Sequence, residues 1–134
     1  MLKIYIDAAT KGNPGPSGAG VLLIDGKSQQ QLSFPLGIMS NHEAEFSALL
    51  FVLERLIAED KTHQTVFIYT DSKIVAATIE KNHTKNLAFQ PFLTRFQELE
   101  NQFELLIIQW IAEKENKGAD NLARQGLQKQ LKLG

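Results

Sequence analysis

The chain has 134 residues, 43% of them hydrophobic and 22% charged, which suits a single domain over residues 1–134 that buries its own core. It contains no Cys, so a disulfide framework, a thiolate zinc site and a cysteine nucleophile are all excluded. Its formal net charge of −1 argues against strong general affinity for nucleic acid, and no signal-like or membrane-length apolar stretch follows Met1, so a cytoplasmic protein without a membrane partner is expected.

Leu2, Ile4 and Ile6 alternate with Lys3, Tyr5 and Asp7, the period of a strand that Asp7 is expected to end. The run from Lys11 to Gly18 (KGNPGPSG) is expected to break regular structure. A second strand through Val21 to Ile24 and a third through Gln30 to Leu36 flank Asp25-Gly26, a hairpin signal. The chain thus opens as an antiparallel meander.

Ser40 and Glu43 have capping-box spacing, and Phe46, Leu49, Leu50, Leu53, Leu56 and Ile57 share one stripe, which predicts a helix from about Asn41 to Glu59. Thr65 to Thr70 reads as a buried strand, and Asp71-Ser72 as the cap of a short helix through Glu80. Leu93, Phe96 and Leu99 mark a further helix starting at or just before Pro91. Phe103 to Trp110 is the last strand, Ile111 to Lys117 a polar loop, and Lys117 to Leu131 a closing helix. The predicted order βββαβααβα gives an α/β fold: a five-stranded mixed sheet, antiparallel meander first, flanked by helices. From Ile111 onward five basic residues face three acids, a net +2 that a solvated helix face explains as well as a ligand does.

Four carboxylates stand where chemistry could use them, and each also has an ordinary explanation. Asp7 lies among β-formers, where Asp is disfavoured, or it terminates its strand and caps the turn. Glu45 shares a helical line with Leu49 and Leu56 at the edge of the apolar stripe, or it is a surface Glu favoured near a helix start. Asp71 sits at a strand end, where sheet proteins place chemistry, or it is an N-cap. Asp120 falls in the first turn of the last helix, where an acid is favoured electrostatically. Brought to one end of the fold, these acids form an oxygen-rich cluster suited to hard divalent cations and phosphodiester hydrolysis. The set lacks the His and Cys of a zinc site, and no Ser-His-Asp arrangement is recognisable.

At this point the chain resembles the type 1 ribonuclease H family nearly end to end. Tyr5 to Gly20 (YIDAATKGNPGPSGAG) resembles the family's first strand, catalytic Asp and Gly-Pro turn, and Asn41 to Leu50 (NHEAEFSALL) the motif carrying its Glu. Tyr69 to Ala76 (YTDSKIVA) resembles the motif of the third acid, and Trp110 to Gly126 (WIAEKENKGADNLARQG) the last. The resemblance implies a ribonuclease H-like fold and endonucleolytic cleavage of the RNA strand of RNA/DNA hybrids. It implies Mg²⁺ or Mn²⁺ in a two-metal site held by Asp7, Glu45, Asp71 and Asp120. It also places Asn13, Asn41 and Gln109 or Trp110 near the hybrid, whose RNA strand is recognised by its 2′-hydroxyls.

Departures from the family pattern bear on substrate grip. Ala8 replaces a usual Gly, Glu43 stands where a basic or neutral residue is common, and Lys81 to Asn86 leaves no room for a basic protrusion. Weak binding, or basic surface supplied by an accessory partner or a second copy, is the expectation. The last loop has no His where many members carry one; His42, His63 and His83 read as solvated surface residues. Asn116, four residues before Asp120, takes that catalytic place by the resemblance, or it is a helix N-cap. A catalytically weak hybrid- or RNA-binding module, and a nuclease of structured or double-stranded RNA, are the alternatives.

Overall fold

A computed structural model describes all 134 residues. Strands β1 (Leu2–Thr10), β2 (Gly15–Asp25) and β3 (Ser28–Met39) form the meander, followed by α1 (Asn41–Ala58) and β4 (Thr65–Thr70). Helices α2 (Lys73–Lys81) and α3 (Gln90–Glu100), strand β5 (Leu105–Trp110), a 3₁₀ turn at Glu113–Glu115 and α4 (Lys117–Leu133) complete the chain. The sheet order is β3-β2-β1-β4-β5, antiparallel through the first three strands and parallel from β1 through β4 to β5. No helix is long and apolar enough to cross a membrane.

The core lies between the sheet and α1. Leu2, Ile4 and Ile6 of β1 point into it with Val21 and Leu23 of β2 and Val66 and Ile68 of β4, where they meet Phe46, Leu49, Leu53 and Leu56. Ser40 caps α1 as its spacing predicts: its hydroxyl accepts from the Glu43 N–H at 3.2 Å, and the Glu43 carboxylate accepts from the Ser40 N–H at 2.9 Å. That fixed start sets the rotation of α1, and hence where Glu45 points.

On the opposite face α4 crosses β1, β2 and β3. Its backbone approaches so closely that a Cβ on Gly20 would stand 2.2 Å from the Ala123 nitrogen, and one on Gly18 2.0 Å from that of Leu127. The Gly-rich stretch of β2 is therefore a landing strip for α4, the helix that carries Asp120.

Two expectations are corrected here. The Gly-Pro run does not break regular structure throughout, because β2 begins at Gly15. The β1 ladder with β2 stops at the Thr10–Ser17 pair, and Pro16, which lacks an N–H, makes one bond on that side, its carbonyl accepting from the Lys11 N–H at 2.9 Å, and pairs with β3 on the other. Asp7 does not end β1, which continues to Thr10 because β2 still pairs with it on that side. What ends near Asp7 is the other ladder, since β1 and β4 last pair at Ile6–Thr70.

Candidate active site

Asp7 and Asp71 each follow the Ile6–Thr70 pair directly, so two parallel strands release an acid at the same level of the sheet. Neighbouring strands are about 4.8 Å apart, which puts these two backbones side by side. The neighbouring Ser72 is the N-cap of α2, its hydroxyl accepting from the Val75 N–H at 3.2 Å. The capping explanation for Asp71 thus falls to Ser72, and the Asp71 carboxylate is free for other work. Glu45 comes from the second turn of α1 and Asp120 from the first turn of α4. All four acids line one open pocket of about 350 Å³ with Asn41, His42, Ser72, Lys73 and Glu113.

The electrostatics are those of a cluster short of positive charge. Burial raises the Asp7 carboxyl to about 8, and the Asp71, Asp120 and Glu45 charges add to it against the Ala8 N–H, which donates to Asp7 Oδ1 at 2.8 Å. Burial also raises Glu45, opposed by the Ser72 hydroxyl and by His42, whose Nδ1 lies 3.4 Å from Glu45 Oε1. Asp71 is raised by burial and then by the Glu113 and Asp120 charges, while the Asn116 amide opposes the shift. Asp120 is held by Arg124 through contacts of 3.3 and 3.1 Å.

Such a set of hard oxygen donors, three of them driven toward protonation by burial and by one another, fits divalent cations. As the side chains stand, no three of them close on a single point.

The remaining expected residues separate. Asn41 lines the pocket at the start of α1. Asn13 does not line it; its Oδ1 accepts from the Asn41 N–H at 3.0 Å and ties the Gly-Pro turn to that helix start. Asn116 is 1% exposed and lies behind the pocket wall. It occupies the N-cap position of α4 without a side-chain cap bond. Its Nδ2 instead donates to the Ile6 carbonyl at 2.9 Å and reaches Asp71 Oδ2 at 3.4 Å. Gln109 is absent from the pocket wall, while Trp110 touches the site through its indole Nε1, which donates to the Asp71 carbonyl at 3.1 Å.

Three titratable residues of the pocket were not singled out as site candidates in the sequence. His42 is solvated over much of its side chain, as expected, at 43% exposed, but its Nδ1 is buried beside Glu45, a position its i, i+3 spacing from Glu45 could have signalled. Lys73 and Glu113 lie within the Tyr69–Ala76 and Trp110–Gly126 motifs, but nothing in their spacing separates them from solvated charges.

The RNase H family model matches residues 1–128. The chain is 57% identical over 129 residues to the EbsB protein of Enterococcus faecalis, provisionally named a hydrolase, covering 96% of each. It is 35% identical to the Ribonuclease H of Parvibaculum lavamentivorans, covering 95% of this chain and 92% of that one. Among solved structures it superposes on LC11-RNase H1 in complex with RNA/DNA hybrid with a TM-score of 0.88 at 25% identity, over 98% and 99% of the two chains. For RNase H1 from Halobacterium salinarum the TM-score is 0.85 at 27% identity, over 95% and 97%. With its sheet order, its four acids at one end and a family match covering nearly its whole length, this chain belongs to the RNase H family.

Proposed function

We propose that this chain, acting as one domain, hydrolyses the RNA strand of RNA/DNA hybrids at the pocket of Asp7, Glu45, Asp71 and Asp120, with Mg²⁺ or Mn²⁺ as its cofactor. The observation that carries the reading is the convergence of these four acids, from β1, α1, the end of β4 and α4, on one open pocket.

Divalent cations held there would supply activation of a water and stabilisation of the departing ribose oxygen. Asp7 and Asp71, adjacent at the strand ends, would be the principal ligands, with Glu45 and Asp120 completing the set. The Ala8 N–H and the Asn116 amide each bond the ionised form of an acid, so they keep Asp7 and Asp71 available as ligands against the burial that favours protonation. Asn116 thereby acts as a positioning residue. Asn41 stands at the pocket rim, where a 2′-hydroxyl of the RNA strand could be read, and Asn13 holds it there.

The test is cleavage of a labelled hybrid with Mg²⁺ or Mn²⁺, run beside single-stranded RNA, double-stranded RNA and Asp71→Asn and Glu45→Gln controls. Metal-dependent cutting of the hybrid's RNA strand that both variants lose is expected. Tight hybrid binding without cutting would reject the reading in favour of a binding module, and faster cutting of double-stranded RNA would reject the hybrid as substrate.

A further inference from the structure

One Lys or Arg lines the acid pocket, Lys73. It opens α2, where the helix dipole disfavours a positive charge. With acids around the same pocket it would be expected to pair with one of them, yet none lies within ion-pair distance of its ammonium. The ammonium instead stands 5.4 Å from the centroid of the Trp110 ring. That ring is itself anchored, since the Trp110 N–H donates to the Asp71 carbonyl. Trp110 remains 41% exposed and lines a neighbouring hollow, so of the pair Lys73 is the one that borders the acid pocket. Arg124 is taken up by Asp120, and Lys114 and Lys117 line a separate hollow on the far side of Glu113 and Asp120, outside the acid pocket.

We propose that Lys73 is the phosphate-gripping group of this site. Trp110 is then its positioning residue: the indole face holds the ammonium away from the carboxylates, and the indole N–H fixes the ring to the strand end that presents Asp71. A cation kept out of an acid pair is free to neutralise a backbone phosphate entering the pocket. In a protein of net charge −1 with no basic protrusion, such a contact carries a large share of the grip. This inference rests on the nucleic-acid reading of the site.

The test is equilibrium binding of a short fluorescent RNA/DNA hybrid across a salt series, with every protein carrying Glu45→Gln so that turnover does not intervene. Each phosphate contact contributes a slope of about −0.9 to log K against log salt. Lys73→Gln is expected to weaken binding on the order of tenfold and flatten the slope by about one, while Lys73→Arg keeps the slope. Trp110→Ala is expected to weaken binding alone and to add little when Lys73 is already Gln. An unchanged slope in Lys73→Gln overturns the role of Lys73 while leaving the proposed function standing. Full additivity of the two substitutions overturns the role of Trp110. A parent protein that binds no hybrid overturns both the inference and the function beneath it.

Discussion

Replacing Asp7 by Asn should make the cation-free protein more stable while abolishing its activity. Burial and the neighbouring acids raise the Asp7 carboxyl from 3.8 to about 8, so at pH 7 the folded state holds a proton that the unfolded state releases. At about 1.4 kcal/mol per pH unit, the cost at pH 7 is at most about 4 kcal/mol. Solvent screening in an open pocket and relaxation of Glu45 and Asp71 reduce it to about 1–3 kcal/mol. Asn keeps an oxygen for the Ala8 N–H and carries no charge, so it escapes this cost. For 134 residues, an unfolding entropy of about 2.1 cal/mol/K per residue converts the gain to a rise in Tm of about 4–11 °C. The sign follows from proton uptake. The folded carboxyl is raised, so parent stability falls as pH rises from about 4 to about 8, and the advantage of the variant grows over that window. Thermal unfolding of both proteins in chelator across this pH range measures it. An Asp7→Asn protein no more stable than the parent at pH 7, or an advantage that fails to shrink toward pH 4, would refute the electrostatic reasoning.

Two further outcomes follow from packing and hydrogen bonding. Gly20→Ala puts a Cβ 2.2 Å from the Ala123 nitrogen and 2.4 Å from the Ala119 carbonyl oxygen, so α4 must lift from β2. A loss of about 3 kcal/mol in denaturant unfolding is expected, with activity falling because Asp120 moves with the helix. Asn116→Ala leaves the Ile6 carbonyl without its donor and should cost about 1–3 kcal/mol. Since Asp71 also loses the amide that favours its ionised form, the acidic limb of the pH–activity profile should move to higher pH. An unmoved limb would mean that Asn116 serves the fold alone.

The helical part of the fold was legible because its signals are local. The Ser40/Glu43 capping box and the apolar stripe behind it place α1 to within a residue, since both depend on spacing alone. Strand limits were less legible, because ladders end where a partner strand ends. Pro16 is tolerated in β2 because it lies one pair beyond the end of the β1 ladder, where no N–H is required of it, and Asp7 continues β1 because β2 still pairs there.

The site divides in the same way. The four acids stand out in sequence through their motif contexts. The roles of Asn116, Asn13 and Trp110 depend on which carbonyl or N–H each meets across the fold, at separations no periodic pattern reaches. His42 was legible in part, for its side chain is 43% exposed as a His near a helix start reads, while the burial of its Nδ1 beside Glu45 shows only in the fold.

The central claim, that Asp7, Glu45, Asp71 and Asp120 together hold divalent cations, is tested most directly by thermal unfolding during a Mn²⁺ titration of the parent and of Asp71→Asn. A cation that binds only the folded state adds about 2.7 kcal/mol at a hundred times its Kd, a rise of about 10 °C for this chain length. The parent is expected to show that rise and Asp71→Asn to lose it. An equal rise in both proteins, or none in the parent, would contradict the assignment of the acid cluster as a cation site.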